Sequence, residues 1–354
     1  MAEPTTGELF KAKTIVEGDV AKAVQALLDG DRSELQAEHD PHGDPASSAG
    51  EGMSHVESAQ ADVVTRMLRF AEDASQIALK LRADGLSVSY KGADLGQALT
   101  EADLAISRML HAQFGPRLIE EETADAMGFD RARDLLAQKD WTFIGDPIDG
   151  TKPYAGGLPG WGTMIAACRH GWPIASVMAL PAWFDDRTAP VVHEPATEQR
   201  GILLAGYDGG SYWSPMVDGR MQGPLRPLQP PIRRTHHIGW LPVAAQRYTL
   251  DYTKGLFPWC ESAAIADAAL VATGRLDATL VNHKLWDLAP ILPVLQPLGF
   301  RLFHWMDMAP CPLSMINLFD HEFRAHGDLW LLCRDEEQAL RLSQAILLAR
   351  PMED

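Results

Sequence analysis

Apolar residues first fall into a clear helical rhythm from Ala61, where Val64, Met67, Leu68, Ala71, Ala74, Ala78 and Leu81 share one face and Gly85 closes the run. The spacing predicts a second helix over "LTEADLAISRMLHAQFG", with Thr100 as N-cap ahead of Glu101, Ala102 and Asp103. A short apolar run, "RLI", leads into "EEET", and "ADAMGFDRARDLLAQKD" reads as a helical insert before a strand that begins at Trp141. Two further strands, "GWGTMIAACRHG" and "WPIASVMALPA", predict a hairpin turning at His170-Gly171. Residues 186–235 are rich in Pro and Gly and carry no regular pattern. Beyond them, "ESAAIADAALVATG" predicts a helix of small residues ending at Gly274, followed by a strand in "LDATLV", a helix from Trp286, and a terminal strand and helix in "DLWLLCR" and "DEEQALRLSQAILLAR". Helices and strands alternate without a regular βαβ repeat, which favours layered α and β structure over a doubly wound sheet.

The first 55 residues break this pattern. "AEHDPHGDPASSAGEGMSH" is polar and rich in Pro, Gly and Ser, so it reads as a disordered extension, with one short amphipathic helix expected around Val20 to Leu28. The overall composition of the 354-residue chain, 46% hydrophobic and 22% charged, is that of a globular protein. A formal net charge of −17 argues against nucleic acid as a partner, because such binding requires basic patches. No apolar run reaches the roughly 20 residues of a membrane span, and the N-terminus lacks a basic-then-apolar signal segment. Cys168, Cys260, Cys311 and Cys333 are far apart and form no C-x-x-C pair, so buried free thiols and a cytoplasmic location are expected.

The candidate chemistry gathers in "WTFIGDPIDGTKPYAGG", residues 141–157. A strand ending in a turn accounts for Asp, Pro and Gly by itself. The fuller reading is that Asp146, restricted by the following proline, finishes the strand, and a turn at Pro147 brings Asp149 beside it. The Ile148 carbonyl would add a third oxygen, which suits a hard cation such as Mg²⁺. Gly150 leaves room for close approach to the backbone, and Gly150 with Thr151 offers N–H groups and a hydroxyl to a phosphate.

The hexapeptide "DPIDGT" resembles the central motif of the inositol monophosphatase family, Mg²⁺-dependent and lithium-sensitive phosphatases. "IEEET" resembles that family's upstream acidic motif and "LWDLAP" its downstream Trp-Asp motif, while "LTEADLAI" resembles the helix that precedes them. The resemblance implies an α+β fold, a layered αβαβα sandwich of the sugar-phosphatase type. It makes Glu121, Asp146, Asp149, Asp287 and the Ile148 carbonyl metal ligands for two or three Mg²⁺ ions. It also makes Glu121 and Thr151, the latter oriented by Asp103, the groups that position and deprotonate a water. Lys91 is a looser match to a lysine ahead of the Asp103 helix. Three segments follow: the extension over 1–55, an α+β subdomain over 56–185 with most metal ligands, and an α/β subdomain over 186–354 with the Trp-Asp motif and a substrate-facing helix. The implied partner is a small phosphate monoester, with no membrane and no nucleic acid, and the implied assembly is a homodimer.

The acids and histidines nearby have plainer roles. Glu120 and Glu122 read as solvated or supporting residues, Asp185 and Asp186 as a strand end, and His236, His237, His283 and His304 as loop or surface residues. "DGTKPYAGGLPGWGTMIA" resembles the histidinol-phosphate phosphatase branch, so histidinol phosphate is an alternative substrate. The chain departs from that branch at Cys260-Glu261-Ser262-Ala263-Ala264, and from inositol enzymes at Leu280, Val281 and Asn282, where a ring-binding glutamate is expected. Glu261 is therefore either a substrate-binding residue or a helix cap. An inactive family member serving as a binding or regulatory module is the alternative of another class.

Overall fold

The computed structural model describes residues 51–85, 88–90, 98–183, 200–231, 235–241, 244–311, 314–327 and 329–348. The extension up to residue 50 with its short helix, Lys91, Asp185 and Asp186 lie outside the described residues. Helix α1 (Glu51–Asp84) starts ten residues before its apolar stripe, inside the segment assigned to the extension. It is followed by β1 (Val88–Tyr90), β2 (Ala98–Thr100) and α2 (Glu101–Phe114), whose N-terminus is closed by a reciprocal Thr100–Asp103 capping box. Strand β3 (Leu118–Glu120) leads into α3 (Glu121–Met127), and Gly128 at φ 79° separates it from α4 (Phe129–Leu136). The expected single insert is thus two short helices.

Strands β4 (Thr142–Asp149), β5 (Trp161–Arg169) and β6 (Trp172–Ala182) form the centre of the first sheet, with the five-residue helix α5 (Thr151–Ala155) between the first two. The β5–β6 hairpin turns at His170-Gly171, both at positive φ, as its sequence predicted. Residues 200–227, expected to be irregular, instead extend this sheet through β7 (Arg200–Tyr207), β8 (Gly210–Val217), β9 (Arg220–Met221) and β10 (Arg226–Pro227). The sheet order is β10-β8-β7-β6-β5-β4-β3, with β9 on β8, and only β3–β4 is parallel. The first sheet therefore runs past the division drawn after residue 185. Asp208-Gly209, both at positive φ, make the tight β7–β8 turn.

The second sheet joins β11 (His237–Gly239), β13 (Phe257–Trp259), β14 (Ala278–Val281), β15 (Arg301–His304) and β16 (Trp330–Cys333) in the order β13-β11-β14-β16-β15. The remaining elements are α6 (Ala244–Arg247), β12 (Tyr248–Leu250), α7 (Ala264–Ala272), α8 (Leu285–Leu288), α9 (Leu292–Leu295), α10 (Glu336–Ala345) and β17 (Ile346–Leu348), which pairs with β12.

Three apolar clusters stack these elements into five layers. Val64, Met67, Phe70, Ala71 and Ala74 of α1 and Ile106 and Leu110 of α2 bury one face of the first sheet against Ile165, Val177 and Leu203. The opposite face, with Ile144, Met164, Met178 and Leu204, packs on α7, α8 and α9, which in turn meet Leu302, Trp330 and Leu332 of the second sheet. Ala339, Leu342 and Ala345 of α10 cover the far face through Leu280, Phe303 and Leu331. The result is an α+β sandwich with helical layers outside and between two sheets, as the resemblance implied.

Candidate active site

Strand β4 is buried along its whole length, so its two carboxylates emerge from the core rather than from solvent. In a regular strand, residues three apart point to opposite faces. The strand was expected to end at Asp146 in a turn; it instead continues to Asp149, and the β4–β5 register shifts between the two aspartates. This irregularity sits at Pro147, which has no N–H to give the ladder and whose carbonyl accepts a 2.7 Å hydrogen bond from the Thr163 hydroxyl. A bulge, not a turn, turns both carboxylates to the same side.

Asp287 comes from α8, where its Oδ2 accepts the Lys284 backbone N–H at 3.0 Å. Its carboxylate meets Asp146 and Asp149, with one ligand atom of each within 4.8 Å of the others. Glu121, the first residue of α3, stands outside this group of three, yet its charge acts on all of them. Burial, then the charges of Glu121 and Asp149, hold the Asp146 carboxyl well above the usual range. Burial and Asp287 do the same to Asp149, against a partial offset from the Ile265 N–H, which donates to Asp149 Oδ2. Asp287 is pushed up to about 7 by lost solvation and Glu121. Asp146 Oδ1 is buried with no hydrogen-bond partner among the described residues.

Such an arrangement is costly unless protons or a cation neutralise it. Convergent oxygen donors with an orphaned buried carboxylate oxygen fit a hard divalent cation.

The residues around the cluster are tied to one another by hydrogen bonds. Thr151 Oγ1 donates to Asp103 Oδ1 at 3.2 Å and lies 3.0 Å from the Ile148 carbonyl. Asp103 is itself fixed at the start of α2, its Oδ2 accepting from the Thr100 N–H at 2.7 Å and hydroxyl at 2.5 Å. Gly150 sits at φ 85°, and a Cβ there would lie 2.9 Å from Ala263 Cβ, so only glycine lets α7 approach the turn.

Several expectations are corrected. Of the two roles open to Glu120, solvated or supporting, its full burial leaves the second: it accepts from Ser107 Oγ at 3.0 Å, the Glu122 N–H at 2.9 Å and His111 Nε2 at 3.1 Å. Ser107 and His111, four apart on α2, are the sequence signal for this network. His283 is buried, not a surface residue; its Nε2 has no partner among the described residues, and burial lowers it to about 4. Cys260 is exposed and Cys311 half-buried, while Cys168 and Cys333 are buried; none of the four is in a disulfide. Glu261 does not cap α7, since the N-cap is Ala263 with no side-chain bond. The Tyr154 and Trp161 rings of the histidinol-like stretch are core residues, 4.6 Å apart, and Tyr154 Oη donates to the Ala78 carbonyl at 2.8 Å.

The chain is similar to a Streptomyces griseus protein named glucose-1-phosphate thymidylyltransferase, at 28% identity over 246 residues, 66% of this chain and 82% of that one. A Mycobacterium tuberculosis histidinol-phosphatase matches at 35% over 75 residues, 19% of this chain and 29% of its own length. In fold, the structure is similar to CysQ from Bacteroides thetaiotaomicron, a bacterial member of the inositol monophosphatase family, with a TM-score of 0.55 at 16% identity, covering 77% of this chain and 97% of that one. Among the described residues no helix is long and apolar enough to cross a membrane. The profile of the inositol monophosphatase family matches residues 59–317, a span that holds every acid of the cluster: the chain belongs to this family and is a phosphoric monoester hydrolase.

Proposed function

We propose that Glu121, Asp146, Asp149, Asp287 and the Ile148 carbonyl hold two or three Mg²⁺ ions at which a small phosphate monoester is hydrolysed. The observation that carries this reading is the convergence of Asp146, Asp149 and Asp287 to within 4.8 Å around an unpartnered, buried carboxylate oxygen. Bound there, Mg²⁺ supplies positive charge for the phosphate, acidity for a water and stabilisation of the leaving oxygen. The Thr151 hydroxyl, oriented by Asp103, accepts a hydrogen bond from the attacking water, and Glu121 takes its proton. The backbone N–H groups of Gly150 and Thr151 face the phosphate, and Glu261 lies on the side of the alcohol. Purified protein is expected to release phosphate with Mg²⁺ and not with chelator. Asp149→Asn lowers turnover by at least about a hundredfold, and a near-normal rate would overturn the assignment.

Histidinol phosphate is the second reading, favoured by the local match to the histidinol-phosphatase. The burial of Tyr154 and Trp161 supports a packing role for much of that shared stretch. A binding module without activity is disfavoured by the intact Thr151–Asp103 pair, and the same turnover assay separates the two. Four free thiols suit a reducing, cytoplasmic setting. A homodimer is the assembly we carry forward, to be checked by sedimentation.

A further inference from the structure

The acidic cluster accounts for the phosphate half of a monoester, and the alcohol half must meet the residues beside it. Glu261 stands there without a structural task. It caps no helix, and among the described residues it has no ion-pair partner. Its Oε1 accepts a 2.6 Å hydrogen bond from the Trp259 indole N–H, which fixes the carboxylate. Its Oε2 leans over Gly160, 3.2 Å from where a Cβ would stand. Two short steps connect this point to the cluster. Gly160 precedes Trp161, whose Cβ would lie 3.2 Å from a Cβ on Gly150, and Gly150 follows Asp149 directly. Ala263, two residues beyond Glu261, would meet the same Gly150 Cβ at 2.9 Å.

The ring bonded to this carboxylate is half open to solvent: Trp259 is 49% exposed, and Phe257, on the same face of β13 by strand alternation, is 53% exposed. Glu261 in turn acts on another acid, helping to raise the buried Asp267 carboxyl. A carboxylate fixed at the N–H edge of an exposed indole, next to an acidic cluster that must admit a phosphate, repels an anionic or neutral ligand's phosphate without return. A cation recovers that cost by ion pairing.

We propose that Trp259 and Glu261 form the subsite for the alcohol half of the substrate and that this half carries a cationic group, such as a protonated amine. The proposal rests on the phosphomonoesterase reading above and names the substrate class for it. A neutral polyol would gain one hydrogen bond from Glu261; an ammonium gains a charge-assisted one.

A matched pair of esters tests it: 2-aminoethyl phosphate and 2-hydroxyethyl phosphate, with p-nitrophenyl phosphate reporting the basal reaction. Glu261→Gln is expected to lower the ratio of kcat/KM for the aminoethyl ester to that for the hydroxyethyl ester by about ten- to a hundredfold. Trp259→Phe, which keeps a ring and loses the N–H, is expected to reduce the same preference by a smaller factor. The half-saturating Mg²⁺ concentration stays unchanged in both variants. Equal losses on both esters, no loss on either, or a raised Mg²⁺ requirement would overturn the subsite. A wild-type protein that hydrolyses p-nitrophenyl phosphate but shows no preference for the aminoethyl ester would overturn it too. Failure on all three esters would instead sink the phosphatase reading and this proposal with it.

Discussion

Asp267 shows how much a single buried acid matters in this fold. It lies on α7 with 2% exposure, accepts one hydrogen bond from Thr279 Oγ1 at 3.2 Å, and has no partner for Oδ1 among the described residues. Burial, with a further push from Glu261, raises its carboxyl to about 8 against a partial offset from Thr279. The folded state therefore keeps a proton that the unfolded chain releases near its ordinary 3.8. The stability this proton brings is full below that value and is lost as pH rises toward 8. Asp267→Asn removes the titration. The variant should gain on wild type as pH goes from 5 to 8, by on the order of 2 kcal/mol or more, seen as a widening difference in Tm. A difference that stays flat with pH would show that Asp267 is ionised in the folded protein. The sequence placed this residue on a small-residue helix but carried no sign of its isolation, because isolation depends on Thr279 and Gly239 from distant strands. Glu120 is the opposite case. Among three glutamates its neighbours leave it either solvated or supporting, and Ser107 and His111 are spaced to receive it in the second role.

Elements with strong local signals were legible from sequence, and those defined by their neighbours were not. The α1 stripe, the Thr100 cap, the His170-Gly171 hairpin and the small-residue helix each carry a period or a turn signal of their own. β7 and β8 carry one as well, Asp208-Gly209, but it lies inside a stretch whose composition suggested irregular chain. The β4 bulge was read as a turn because Asp-Pro and Asp-Gly suit either; only pairing with β5 decides. The three-residue β3 and the seven-residue α3 are too short to be called from periodicity, yet they set Glu121 in place. Their junction is held by Glu120, whose carboxylate caps α3 and bonds back to α2. Glu120→Ala should cost about 2–3 kcal/mol by leaving those donors unsatisfied. It should also raise the Mg²⁺ concentration for half-maximal rate by about tenfold, because Glu121 loses its anchor. Thermal melts and Mg²⁺ titrations of activity would check both, and an unchanged Mg²⁺ requirement would reduce Glu120 to a purely structural cap.

Across the whole molecule, the acidic cluster joins parts of the chain that pack in different layers. Asp146 and Asp149 leave the first sheet, Glu121 opens a helix beside it, and Asp287 and Ile265 come from the helical layer between the sheets. Without a cation these groups oppose one another, in a chain that already carries a net charge of −17. Mg²⁺ should therefore stabilise the entire fold and not just a loop. At about a hundred times its Kd, a ligand specific for the folded state adds about 2.7 kcal/mol, which for a chain of this size is a rise in Tm of several degrees. Protons compete for the same oxygens, so the rise should shrink as pH falls below the value of about 7 held by Asp287. Asp149→Asn gives the sharper test because its sign depends on the metal. In chelator the variant loses a buried repulsion and keeps an oxygen for the Ile265 N–H, so it should melt above wild type. In saturating Mg²⁺ it lacks a ligand and should melt below wild type. Melts that never cross, or a wild-type rise equally produced by Na⁺ at matched ionic strength, would show that the cluster is not a metal site.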